Sequence, residues 1–262
     1  MFSLERRNQI LELLRRDGRV LAKDLAEIFG VSIDSIRRDL TAMEEEHLLK
    51  RTHGGAIPLS HMRTISQSVQ LQRIHNDESS RQHAIARLAA SCIQEGQTVF
   101  LGGSSLHKLM LLYLPFQLPF TVVTNSLYIA EGLQQINWIS TYLLGGQMTA
   151  SGMMTDTLAV EWMRQFSPDL NFAVVEGVSV NGLSTSRPEE AVFQRAVMEQ
   201  SRQTICLIEH TGMGKDCFTR VASLHRIDLL ITDEQASPEE INHLQTTSSI
   251  QIRLAEERSG TG

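Results

Sequence analysis

Two adjacent arginines, Arg37 and Arg38, stand behind the run Ser32-Ile33-Asp34-Ser35, and the segment Arg51-Thr52-His53-Gly54-Gly55 follows them. Guanidinium groups bridge guanine O6 and N7 or clamp phosphates, and small polar residues at a helix start let the backbone approach a groove. The first amides of such a helix also attract phosphate. This chemistry is recognition rather than bond-making. A second set lies far along the chain, in loops rich in glycine, hydroxyls and acids: Gly102-Gly103-Ser104-Ser105, Thr124-Asn125-Ser126, Gly145-Gly146, Glu176-Gly177 and Glu209-His210-Thr211-Gly212. Glycines followed by hydroxyls at a helix start form an anion cradle, because amides and helix dipole point at one place.

The first set needs helices and a hairpin to position it. Ile10, Leu11, Leu13 and Leu14 share one face of a helix over about 3–16, with Ser3 as cap and Asp17-Gly18 as stop. A second helix over Ala22–Phe29 buries Leu25, Ala26 and Ile28, and Gly30 supplies a left-handed turn. Ser32 caps a third helix running to about Glu46, with Val31, Ile36, Leu40 and Met43 inward and Ile33, Asp34, Ser35, Arg37 and Arg38 outward. Helix spacing alone also suits a plain three-helix bundle with a charged surface. The short strand Leu48 to Arg51 and the hairpin over Thr52-His53-Gly54-Gly55, whose glycines tolerate positive φ, separate the two readings: this is a wing.

Composition sets bounds. The 262 residues exceed a usual single domain and carry 42% apolar and 21% charged residues, which suits one small and one larger globular domain. The 24 Lys and Arg against 30 Asp and Glu leave a net charge of −6, so only clustering supports DNA binding. Arg6, Arg7, Arg15, Arg16, Arg37, Arg38, Lys50 and Arg51 are read as that cluster. Cys92, Cys206 and Cys217 have no paired spacing, which points to a reducing compartment. No run of about 20 apolar residues and no signal-peptide pattern is present, so the expectation is a cytoplasmic protein with no membrane partner. The nine histidines make no ligand spacing, and no metal or other cofactor is expected. Ser104 lacks a nucleophile elbow, and Trp138 and Trp162 are read as packing residues.

The second set needs a sheet. From Asp77 an amphipathic helix places Ile85, Leu88, Ala89 and Ile93 on one side. Apolar runs then recur at Thr98–Leu101, Phe120–Thr124, Thr141–Leu144, Phe172–Val175, Thr204–Ile208 and Asp228–Thr232, alternating with helical segments. Such alternation predicts a Rossmann-like parallel α/β sheet whose ligands collect at the carboxyl ends of the strands. The expected domains are a winged helix-turn-helix over 1–58, a linker over 59–76 and an effector-binding and oligomerisation domain over 77–255.

The segment VSIDSIRRDLTAMEEEHLLKRTHGGA resembles the N-terminal signature of the DeoR family of bacterial transcriptional regulators. Val31, Ser32, Ile36, Arg37, Arg38, Asp39, Leu40, Glu44, Leu49, Arg51, His53, Gly54, Gly55 and Ala56 carry the match; Ser35 stands for a threonine and His47 for a glycine. The larger part resembles the family's sensor domain, a fold similar to ribose-phosphate isomerases. The resemblance rests on Thr121 to Ala130, Leu143 to Gly146, Asn181 to Thr185, Glu189 to Glu199 and Ile227 to Asp233. It implies a double-stranded DNA operator as partner and a repressor of a carbohydrate operon. A phosphorylated sugar or related metabolite is the implied effector, on a homo-oligomer. Operator contacts are expected from Ser32, Ile33, Asp34, Ser35, Arg37, Arg38, Arg51, His53, Gly54 and Gly55. Effector contacts are expected from Gly102, Gly103, Ser104, Ser105, Thr124, Asn125, Gly145, Gly146 and Glu209.

The chain departs from the family where charge matters. Gly102 replaces an aspartate, Gly212 replaces a lysine, and Gln194, ahead of Arg195, replaces another lysine. The two lysine losses weaken the phosphate pocket that the resemblance implies: each lost charge-assisted contact removes roughly 1.5 to 3 kcal/mol of ligand binding, enough to change the effector class or abolish sensing. An isomerase-like enzyme with Glu209 or Glu176 as base is the competing reading, and a regulator without effector is a third; no enzyme activity is expected.

Overall fold

The computed structural model describes residues 3–17, 20–45, 48–52, 54–57, 79–248 and 250–257. The chain divides into two compact units, Met1–Glu78 and Ser79–Gly262. The segment 59–76, expected to be a linker, lies outside the described residues.

The first unit holds α1 (Ser3–Asp17), β1 (Val20–Leu21), α2 (Ala22–Phe29), α3 (Ile33–Glu45), β2 (Lys50–Thr52) and β3 (Gly55–Ile57). Its core is Ile10 and Leu14 of α1, Leu25 and Ala26 of α2, and Ile36, Leu40 and Met43 of α3, closed by Leu49 and Ala56. Gly30 ends α2 with φ 62° and accepts the left-handed turn that sets α3 across it. Ile28, expected inside, is 61% exposed. The buried stripe of α2 follows Ala22, Leu25 and Ala26, and at 100° per residue Ile28 falls off that stripe.

The second unit is built on seven parallel strands in the order β13-β12-β10-β7-β4-β5-β6. They are β4 (Thr98–Phe100), β5 (Phe120–Thr124), β6 (Ile139–Leu143), β7 (Leu170–Val174), β10 (Gln203–Leu207), β12 (Leu229–Asp233) and β13 (Gln251–Ala255). Six match the strands expected from sequence; β13 was not foreseen. Nor was a three-stranded antiparallel sheet of β8 (Gly177–Ser179), β9 (Gly182–Thr185) and β11 (Thr219–Ala222). The helices are α4 (Ser80–Ala90), α5 (Ser105–Met110), α6 (Leu127–Leu133), α7 (Thr157–Met163), α8 (Pro188–Gln200) and α9 (Pro238–Ser248).

One sheet face packs α4, α5 and α6 through Ile85, Leu109 and Ile129. On the other, α7 and α8 bury Val160, Met163, Phe193 and Val197 against Phe100 and Val123. Trp138 packs edge-on against Phe116 at 5.1 Å, as expected of a packing residue. Trp162 does not: it is 55% exposed on the outer side of α7. The chain runs β4, β5, β6 outward, then returns so that β7 lies on the other side of β4. That reversal opens a crevice beyond the carboxyl ends of β4 and β7, where ligands of such sheets bind.

Candidate nucleic-acid interface and metabolite pocket

Nothing on α3 is left to chance at its start. Ser32 Oγ accepts from the Ser35 amide at 3.2 Å, and the Ser32 and Ser35 hydroxyls lie 2.9 Å apart. Ile33 and Asp34 are exposed beyond them, and Arg37 and Arg38 extend into solvent from the next turn. Arg37 makes only an exposed 3.3 Å pair with Asp34, a contact weak enough to yield to phosphate or a base edge.

The wing is tied to this helix. Antiparallel β2 and β3 pair Thr52 with Gly55, and β1 adds a third strand through Val20 and Ala56. Glu44 of α3 accepts from the Arg51 amide at 3.1 Å and pairs with Lys50 at 3.3 Å. The hydrogen bond from the Arg51 backbone is the main reason the Glu44 carboxyl sits below the usual range. Arg51 Nη1 donates to Thr41 Oγ1 at 2.7 Å, so this arginine braces the wing root against α3. Gly55 is required by close approach: a Cβ there would stand 1.9 Å from the Val20 carbonyl oxygen. That, rather than positive φ, is the reason for glycine. Gly54 is exposed with room around it, and His53 lies outside the described residues.

Two arginines read as part of the basic cluster do other work. Arg6 Nε donates to Asp39 Oδ2 at 2.6 Å and Arg7 Nε lies 3.5 Å from Oδ1, with the Asp39 side chain only 6% exposed. They hold α1 to α3. The side chains of Arg15 and Arg16 are not among the described ones.

In the second unit, a pocket of about 60 Å³ sits in the crevice between β4 and β7. Phe100, Phe172, Phe193 and Val197 give it apolar walls; Asn125, Asn171, Glu190 and Gln194 give it polar ones. In this conformation it has room for a few waters. Met153, an unbranched thioether chain on its rim, is the lining side chain best able to give way to a larger guest.

Gly102, Gly103 and Asn125, three of the expected effector residues, line this pocket together. Ser104 is spent locally: it caps α5, accepting from the His107 amide, and its hydroxyl lies 2.7 Å from His107 Nδ1. Ser105 is exposed, and Thr124 is buried, accepting from the Ser126 amide at 3.1 Å. Gly145 and Gly146 stand apart on the surface beside Trp162 and Asp156, and Glu209 accepts from Gln82 of α4 at 2.8 Å. Asn171 and Glu190 were not among the expected contacts; the sequence assigns His107, with Lys108, only an added donor or charge beside the glycine loop, and Gln194 only a lost lysine position. The signal for Gln194 was a polar residue among the buried Ala191, Phe193, Ala196 and Val197 of α8.

His107 explains the missing aspartate. Its Nε2 donates to the Phe172 carbonyl at 2.7 Å, which leaves Nδ1 as acceptor for the Ser104 amide and hydroxyl. Burial drives its pKa down to about 4, so the ring is neutral. A Cβ at Gly102 would lie 3.1 Å from His107 Cε1, so the imidazole fills the space an aspartate would enter. Gly212 is equally confined: a Cβ would meet Ile208 Cδ1 at 2.7 Å and the Glu176 carbonyl oxygen at 2.8 Å.

A winged helix-turn-helix whose recognition helix presents the exposed pair Arg37 and Arg38, in a chain that also holds a parallel α/β unit with a pocket at its strand reversal, defines a DNA-binding transcriptional regulator with a sensor domain. The chain belongs to the DeoR family: residues 6–61 match the DeoR-like helix-turn-helix domain and residues 77–234 the DeoR C terminal sensor domain. It is 33% identical over 235 residues to the HTH-type transcriptional repressor GlcR of Bacillus subtilis, covering 89% of each chain. It is 28% identical over 257 residues to the glycerol-3-phosphate regulon repressor of Escherichia coli, covering 97% of this chain and 100% of that one. Among solved structures, the ribose 5-phosphate isomerase A of Methanocaldococcus jannaschii matches at 12% identity and a TM-score of 0.35, over 50% of this chain and 52% of that one. No described helix is long and apolar enough to cross a membrane.

Proposed function

We propose that the chain represses a carbohydrate-metabolism operon in the cytoplasm and releases its operator when the sensor pocket takes up a sugar phosphate or a related metabolite. The observation that carries the DNA half is the exposed pair Arg37 and Arg38 on the first turns of α3, beside a wing fixed to that helix by Glu44 and Thr41. Ser32, Ile33, Asp34 and Ser35 are the base-edge candidates; the His53-Gly54 turn serves the backbone, on a wing that Arg51 and Gly55 hold in place. The names of the two relatives, a repressor and a glycerol-3-phosphate regulon repressor, support the sign of regulation and the class of pathway.

The regulator acts as a homo-oligomer, because one winged helix spans too few base pairs and two joined heads multiply affinity. Exposed Tyr142 and Leu143 on edge strand β6, with Leu158 and Trp162 on α7, form the apolar surface that favours this. The chain is not an isomerase in this reading. Glu209 and Glu176 are each engaged by neighbours, Gln82 for one and Thr185 and Ser186 for the other, and neither lines the pocket.

The test is anisotropy of the chain on its own upstream duplex, against a shuffled duplex, with and without central carbohydrate metabolites. Preference for the upstream duplex and its loss on adding one metabolite support the reading. Equal affinity for both duplexes, or indifference to every metabolite, refutes the corresponding half.

A further inference from the structure

Resting on the reading that the pocket between β4 and β7 is the sensor site, we infer that Arg187 supplies the positive charge for the effector's phosphoryl group at the pocket rim, while Asn171 at the buried end takes its hydroxyls. The ligand class is a hydroxyl-bearing phosphate monoester, inserted hydroxyl end first.

The pocket is elongated and its two ends differ. Glu190 and Val197 both line it, about 10 Å apart along α8. The Val197 end is closed: Val197 is 1% exposed, and Asn171, paired with Phe100 in the sheet register, is 2% exposed. The Asn171 side-chain amide has no hydrogen-bond partner among the described residues. Each unpaired buried group costs free energy, and a hydroxyl both donates and accepts, so an inserted hydroxyl satisfies this amide. Phosphate is disfavoured at that end, where its other neighbours are Phe100, Phe172 and Val197. Asn125 and Gln194 add nothing to either end. Their N–H groups are spent on the Met154 and Val174 carbonyls, and their oxygens are too deeply buried to meet a guest.

The other end opens at the carboxyl ends of the strands. Gly103 and Thr155 are partly exposed there, and the Gly102 and Gly103 amides and the Thr155 hydroxyl have no partner among the described residues. These donors suit an oxyanion but carry no formal charge, and buried His107 is neutral with its N–H committed to Phe172. Gln194 and Gly212 stand where the family carries lysines. Arg187 restores a cation. It is 63% exposed, and its Nη2 lies 2.7 Å from Oε1 of Glu190, a wall residue whose side chain is 17% exposed. A guanidinium offers several N–H donors in a planar fork, and among the described residues only Glu190 draws on them. Glu190 therefore positions the fork at the rim and offsets its own charge, leaving the remaining donors for a phosphoryl group. Glu176, another carboxylate close to Arg187, has its oxygens engaged by Thr185 and Ser186. Two further cations are occupied elsewhere: Lys108 lies over the Tyr128 ring at 4.8 Å, and Arg195 donates to the Arg220 carbonyl at 2.6 Å.

Calorimetry on the full chain tests this with matched pairs: glycerol and glycerol 3-phosphate, ribose and ribose 5-phosphate, glucose and glucose 6-phosphate. The expected result is an ester that binds wild type at least about tenfold more tightly than its parent, and binds Arg187→Gln no more tightly than its parent. Arg187→Lys, which keeps the charge and loses the fork, retains part of that preference. Lys215→Gln, which removes an exposed lysine between β10 and β11, retains all of it. Asn171→Leu weakens ester and parent alike by about tenfold while the melting temperature holds or rises, whereas an amide with a structural task would lower it when removed. A preference for the ester that survives Arg187→Gln, or that is lost in Lys215→Gln instead, overturns the assignment of Arg187 and leaves sensing intact. Undiminished binding to Asn171→Leu overturns the assignment of the buried end. If no member of the set binds the folded wild-type chain, the sensing reading fails and this inference with it, and operator binding is untouched.

Discussion

His107 Nε2 and the Phe172 carbonyl oxygen lie 2.7 Å apart, joining the short helix α5 to the strand on the far side of β4. The bond closes one wall of the pocket and fixes the imidazole in a single neutral tautomer. Because burial lowers this pKa from 6.5 to about 4, the folded chain resists a proton that the unfolded chain accepts. The stability is fully present above the unfolded value and is lost as pH falls through the folded one, a loss of about 3 kcal/mol across that window. Thermal unfolding of the sensor domain between pH 7 and pH 4 will show a steeper slope in wild type than in His107→Gln. Equal slopes would contradict the assignment.

Asp39 predicts a second outcome. With Arg6 at 2.6 Å and Arg7 at 3.5 Å, its buried carboxylate holds α1 to α3. Asp39→Ala removes the buried carboxylate that pairs with Arg6 and Arg7 across α1 and α3 and destabilises the DNA-binding unit by about 3 kcal/mol. Calorimetric scanning will show an N-terminal transition lowered or lost beside an unchanged sensor transition. If both transitions stay put, the pair is not holding the unit together.

The two wing glycines predict a contrast. Gly55→Ala drives a methyl into the Val20 carbonyl, separates β3 from β1 and weakens operator binding by at least about tenfold, with helix content intact. Gly54→Ala, whose nearest neighbour is Leu21 Cδ2 at 4.0 Å, leaves affinity within about twofold. Anisotropy on the two variants decides it: equal losses, or a larger loss for Gly54→Ala, would contradict the close-approach reason for Gly55.

Much of this was legible in the residues. The buried faces of α1 and α3 follow a helical period, and six sheet strands announced themselves as apolar runs between helices. Ile28 shows the limit: one residue out of phase, it reads as core only if the stripe is drawn too wide. β13 alternates Gln251, Ile252, Arg253 and Leu254 at a sheet edge, and β8 and β9 are three and four residues long, so neither makes a continuous apolar signal. The pocket was half legible. Gly102, Gly103 and Asn125 sit in loops at strand ends, where topology puts ligands. Asn171 is embedded in an apolar strand, and Glu190 and Gln194 reach the site only because α8 packs over β7. Arg6 and Arg7 carried the right charge for DNA, but only the fold reveals Asp39 beneath them.

The central claim is that α3 enters the major groove with Arg37 and Arg38 leading. The direct measurement is anisotropy of Arg37→Ala, Arg38→Ala and the double variant on the upstream duplex over a range of salt. Each single change should cost about 1–3 kcal/mol, and an arginine that clamps a phosphate should lower the salt slope by about 1. A double variant that folds normally and occupies the operator with wild-type affinity and salt dependence would contradict the account.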